Sequence, residues 1–145
     1  IPPLKPEWVL RLKADFHALK FVINGGITSS AQIAQHLGEL DGVMVGRAAY
    51  DHPLRWATVD RDLFHDSNQP IASASTVVRG LIPYAERWCS GGGRLWAIAR
   101  HLVQVVEGVS GARHWRRDLG MAAGARDAGP DVFERAAAQL EERGL

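Results

Sequence analysis

Two short stretches carry residue types suited to gripping an anion, and a third suits a polyanion. Asn24-Gly25-Gly26 and Gly46-Arg47 combine glycines with a single arginine. Glycine lets the chain turn sharply and brings bare backbone N–H groups close to a ligand. The planar guanidinium of Arg47 adds a fixed charge that meets a phosphate through two parallel N–H bonds. Further on, Arg113-His114-Trp115-Arg116-Arg117 sets three guanidinium groups around one indole. Arginine forks suit phosphates, and both arginine planes and indoles stack on bases. Between residues 76 and 117, Arg79, Arg87, Arg94 and Arg100 join these three against only Glu86 and Glu107. Asp131, Glu134, Glu141 and Glu142 come later, so charge is expected to be segregated along the chain. The arginines read as contacts to a nucleic-acid backbone, and Trp115 as part of a helical core.

The first two stretches need strands to position them. Phe21-Val22-Ile23 is apolar and rich in β-branched residues, the pattern of a buried strand. Thr28-Ser29-Ser30 offers N-cap hydroxyls after the glycines, and Ser29 with Gln32 fits a capping box. Ala31, Ile33, Ala34 and Leu37 follow at helical spacing. Asp41-Gly42 ends the connection, Val43-Met44-Val45 reads as the next buried strand, and Gly46-Arg47 sits at its carboxyl end. Two parallel strands ending in glycine turns make a place for a phosphate, as the loops after the last two strands of a (β/α)8 barrel do. Two tight turns of an ordinary βαβ unit are the competing reading.

The remaining elements are helical. Residues 6–19 read as a helix with Pro6 in its first turn and Trp8, Val9, Leu12, Phe16 and Leu19 on one face. Ala48-Ala49-Tyr50 starts a short helical turn stopped by His52-Pro53, and residues 54–64 read as an outer helix. His65 to Pro70 is polar and ends in proline, which makes it the best domain boundary. Beyond it β signals vanish. Residues 71–88 read as a helix bent at Gly80 and Pro83, and residues 95–106, 112–122 and 130–143 as three more. Four helices with short loops make a small bundle. Trp56 and Trp96 read as core, and Cys89 as a buried small residue.

Composition excludes several classes. The formal net charge of the 145-residue chain is +1, so bulk charge selects no partner. One cysteine forms no internal disulfide, which suits a reducing compartment. No signal-peptide pattern and no apolar stretch near the ~18 residues of a membrane span is present, so a cytoplasmic chain without membrane contact is expected. The six histidines show no metal-ligand spacing, and no nucleophile–base pair is legible. A full barrel needs roughly 250 residues. The chain starts at Ile with Pro-Pro following, and is taken as a carboxyl-terminal fragment or a gene product lacking its front half.

Several of these residues together resemble a known family. Ile23-Asn24-Gly25-Gly26-Ile27, then DGVMVGRAAY over residues 41–50, is similar to the A-type tRNA-dihydrouridine synthases, which are flavin enzymes. Ile1-Pro2-Pro3-Leu4 upstream and GARHWRR over residues 111–117 share the resemblance, which covers nearly the whole chain. It implies an α/β fold class: the last βα units of a (β/α)8 TIM barrel over residues 1–66, then an all-α helical tRNA-binding bundle over residues 71–145. It implies FMN held at its phosphate by Asn24, Gly25, Gly26, Gly46 and Arg47, and NADPH as reductant. It implies tRNA as partner, held by Arg113, Arg116 and Arg117, with uridine of the D-loop reduced to 5,6-dihydrouridine. The whole protein is expected to be a monomer. In this family a barrel cysteine protonates the uracil; Cys89 does not match that position, and the barrel lysine, histidine and cysteine are absent. The chain is therefore expected to be inactive alone. Two alternatives stay open: another FMN-dependent barrel oxidoreductase acting on a small molecule, and a non-catalytic helical RNA-binding fragment.

Overall fold

The computed structural model describes residues 3–145, so Ile1 and Pro2 of the amino-terminal motif lie outside the described residues. The chain divides into two compact units, one ending at Gln69 and one running Pro70–Leu145.

The first unit begins with helix α1 (Pro6–Asp15), started by Pro6 and ended at Phe16, where the backbone leaves helical geometry. It is shorter than the 6–19 expected, and it buries no residue. Trp8, Leu12, Phe16 and Leu19 are exposed. Strand β1 (Val22–Asn24) pairs in parallel with β2 (Gly42–Met44), in the register Val22 with Gly42, Ile23 with Val43 and Asn24 with Met44. The strands were expected to be buried on both faces. Only Ile23 is; Val22 and Met44 are 60% and 52% exposed, because this two-stranded sheet is covered on one side alone. Helix α2 (Ser30–Leu37) provides that cover by burying Ile33.

Two devices fix the strand ends. The Ser29 hydroxyl accepts from the Gln32 backbone N–H at 3.3 Å, while the Gln32 side-chain oxygen accepts from the Thr28 N–H at 2.8 Å. This is a capping box whose return bond lands one residue earlier than the standard pattern. Asp41 accepts from Lys13 Nζ at 2.6 Å and from the Phe21 N–H at 2.8 Å, and its own N–H donates to the Phe21 carbonyl. One carboxylate thus ties α1 to the starts of both strands. The Lys13 bond, then the Phe21 bond, hold Asp41 below the usual carboxylate range.

After β2 come α3 (Arg47–Asp51), a 3-10 turn (Pro53–Trp56) and α4 (Val59–Phe64). The single outer helix expected over 54–64 is therefore split. Pro53 starts the 3-10 turn, and the half-buried Trp56 donates its indole N–H to the Ala48 carbonyl at 3.2 Å, locking the turn onto α3.

The second unit is five helices among the described residues: α5 (Ala74–Gly80), α6 (Ile82–Ser90), α7 (Trp96–Leu102), α8 (Ala112–Gly124) and α9 (Asp131–Glu141). The expected bent helix over 71–88 is two helices parted at Leu81, since Pro83 lacks an N–H and belongs in a first turn. Ser73 caps α5 by accepting from the Thr76 N–H at 3.1 Å. Helix α7 stops short of the expected Val106; the Leu102 carbonyl accepts from the Val105 N–H at 3.0 Å in a tight turn and from the indole N–H of the buried Trp115 at 3.2 Å. Helix α9 is the keystone, with Val132, Phe133, Ala136, Ala137 and Leu140 buried on one face and α5, α6 and α8 packed around it.

Two expectations fail in this unit. Trp96 is 38% exposed rather than core, and Cys89 is only half-buried. The charge blocks along the chain meet in space at one arginine: Arg79 bonds Glu134 at 2.7 Å and Glu141 at 2.9 Å, so α5 and α9 are bridged by ions distant in sequence. Chiefly through Glu141, this raises the arginine's pKa further above its ordinary value.

Candidate functional site

The parallel pairing of β1 and β2 brings their carboxyl ends side by side. Asn24, Gly25 and Gly26 at one tip and Gly46 and Arg47 at the other line a single open cleft of about 600 Å³. Gly25 and Gly26 both sit at positive φ, +122° and +70°, where a side chain is strained, so this turn requires glycine. The Leu4 side chain packs beneath it, 3.1–3.2 Å from where a Cβ would stand. Gly46 has negative φ, and a Cβ built on it meets nothing within 4 Å, so its backbone is open to a ligand. Arg47 is exposed and forms no ion pair among the described residues.

The two motifs make only part of this lining. Asp51, His52 and Arg55 also line the cleft, with Ile27, Thr28, Met44 and Ala48. Asp51 lies four residues after Arg47 on α3, a spacing legible in the sequence, whereas His52 and Arg55 follow the end of that helix and reach the cleft through the 3-10 turn. The cleft brings two glycine turns together with Arg47 and Arg55 and with the carboxylate of Asp51, a lining of mixed charge. No cysteine or lysine is among the described residues that line it.

The third cluster lies in the second unit. Arg113, Arg116 and Arg117 are exposed on α8, at separations of three and four residues that place them on one face. Trp115 points into the core instead. Arg117 bonds Asp118 at 2.9 Å, which offsets part of the cluster's charge.

Comparison with known proteins bears on both regions. The family model of the dihydrouridine synthases matches residues 1–141. The chain belongs to the dihydrouridine synthase family. A tRNA-dihydrouridine(20/20a) synthase of Synechocystis is 45% identical over 136 residues, covering 94% of this chain and 40% of the relative. The protein of that name from Yersinia pestis is 44% identical over 138 residues, 95% of this chain and 40% of the relative. That from Escherichia coli K12 is 46% identical over 132 residues, 91% of this chain and 37% of the relative. The chain thus spans about 40% of the length of the relatives it matches. No helix among the described residues is long and apolar enough to cross a membrane.

Proposed function

We propose that this chain is the part of a flavin-dependent tRNA-dihydrouridine synthase that grips the FMN phosphate and holds the tRNA. The carrying observation is one cleft shared by Asn24–Gly26 and Gly46–Arg47, in a chain matching the dihydrouridine synthases over residues 1–141. In this reading the first unit supplies the last two strands of a (β/α)8 barrel, and the second is a helical tRNA-binding domain.

The cleft fits the phosphate end of the cofactor. The Gly25-Gly26 turn presents backbone N–H groups, Gly46 leaves its backbone uncovered, and Arg47 supplies the full charge. Bound there, FMN supplies the hydride for reducing uridine to 5,6-dihydrouridine, with NADPH as the ultimate reductant. The protein's own share is position and electrostatics. Asn24–Gly26 and Arg47 anchor one end of the cofactor. Arg113, Arg116 and Arg117 hold the tRNA backbone, so that the target base can leave the stack to reach the flavin. The proton donor lies in the rest of the barrel, and the chain is inactive alone.

A chimera tests this reading. Residues 1–141 would replace the matching segment of the Escherichia coli K12 relative, in cells lacking that relative. Dihydrouridine restored in their tRNA, measured by mass spectrometry, is the expected result. A folded chimera that leaves tRNA unmodified would overturn the assignment.

A further inference from the structure

The second unit exposes two aromatic side chains that no part of the reading above uses. Tyr84 and Trp88 lie four residues apart on α6 and are 46% and 42% exposed, so their rings stand about one turn apart on one side of the helix. Trp88 is held in place. Its indole N–H donates to the Arg94 carbonyl at 3.1 Å. The loop after α6 folds back so that the Gly93 N–H meets the Trp88 carbonyl at 2.9 Å. Gly93 lies against the pyrrole ring, where an added Cβ would come within 2.3 Å of Nε1 and Cε2. Gly92, at φ +85°, makes that fold possible. The contrast with Trp115 is plain: that indole is bonded and buried, whereas Trp88 is bonded and left in solvent.

The charges beside this pair are positive. Arg87 lies three residues from Tyr84 and one from Trp88, is exposed, and forms no ion pair among the described residues. Arg94 follows the loop and spends one N–H on the Gly124 carbonyl, at 3.1 Å. Glu86 is the acid on α6, roughly 160° around the helix from Trp88. Oriented aromatics flanked by arginines are the elements of a sequence-tolerant single-strand site, where bases stack on rings and guanidinium groups take the phosphates.

We infer that Tyr84 and Trp88 form a stacking platform for unpaired RNA bases, with Arg87 and Arg94 holding the adjoining phosphates. This rests on the reading of the second unit as a tRNA-contacting domain, and extends it to a face other than that of Arg113, Arg116 and Arg117.

The test is binding of an unmodified tRNA transcript to the 145-residue chain across a salt series. Trp88→Leu is expected to weaken binding about tenfold or more without changing the salt slope. Trp88→Phe keeps a stacking face and retains most of the affinity. Arg87→Gln lowers the slope by about 0.7–0.9. If Trp88→Leu melts below the wild type, Tyr84→Ala carries the same expectation. Wild-type binding that neither substitution weakens overturns the platform alone. So does loss of self-association in sedimentation with RNA affinity unchanged, which makes the face a contact between copies. A wild-type chain with no affinity for the transcript overturns the tRNA reading, and the platform with it.

Discussion

The two units handle their apolar residues in opposite ways. In the second, α9 turns Val132, Phe133, Ala136, Ala137 and Leu140 inward, and α5, α6 and α8 close over them. In the first, Ile23, Ile27, Ile33 and Leu40 are buried, but Trp8, Leu12, Phe16, Leu19, Val22 and Met44 are not. Both units have amphipathic helices, so the difference is not one of patterning. The bundle has partners for the stripe of α9, and Tyr84, Trp88 and Trp96 are what it leaves out, whereas α1 and the sheet have stripes that no described residue of their unit covers. On the proposed reading the uncovered faces are barrel surface, completed by the remainder of the relatives' length. The cleft at the strand tips is then one side of a site, and the bundle a finished module.

The sharpest way to break this contrast is to truncate one aromatic in each unit. Phe133→Ala, at a side chain with no exposure, should cost about 3–5 kcal/mol and unfold the bundle in a denaturant titration. Trp8→Ala, 59% exposed, should change stability by no more than about 0.5 kcal/mol. Equal costs would mean that α1 is covered after all. Next in size is the cleft: Arg47→Ala in the chimera should loosen FMN by roughly 1.5–3 kcal/mol, the scale of a charge-assisted bond, measured by equilibrium dialysis. Undiminished retention would remove Arg47 from the grip. On the bundle, Arg113→Gln, Arg116→Gln and Arg117→Gln should each flatten the salt dependence of tRNA binding by about one phosphate contact. The smallest effect is expected at Asp41, an exposed pair. Its carboxyl is held below its ordinary value, so its stabilisation is complete above about pH 5 and fades as pH falls through the carboxylate range. Melting of the first unit should therefore lose part of its acid sensitivity in Asp41→Asn; an unchanged pH profile would show that the tie to Lys13 and Phe21 contributes nothing.

How much was legible in the sequence follows the same division between local and distant causes. The neighbouring positions of Asn24–Gly26 and Gly46–Arg47 were legible because short apolar runs joined by one helix pair in parallel, and glycine turns mark their ends. The Ser29–Gln32 cap was legible for a similar reason, since it depends on residues a few places away, and the burial of Trp115 because the sequence reads it into a helical core. What escaped depends on residues far apart. Nothing near Arg79 announces Glu134 or Glu141, and nothing near Leu102 announces the indole thirteen residues on that donates to its carbonyl. The far wall of the cleft was hidden because His52-Pro53 reads as a stop, although Trp56 turns that stop into a stapled extension of α3. The exposure of Val22 and Met44 could not be read from their own apolar run, because burial depends on what covers a strand.

Two strand tips that jointly hold a phosphate report it directly through their backbone amide resonances. A 15N-labelled sample of the chain, titrated with FMN at fixed ionic strength, should show shifts concentrated at Gly25, Gly26, Gly46 and Arg47, and reproduced in part by inorganic phosphate. Shifts confined to the second unit, or absent from both glycine turns at saturating FMN, would contradict it.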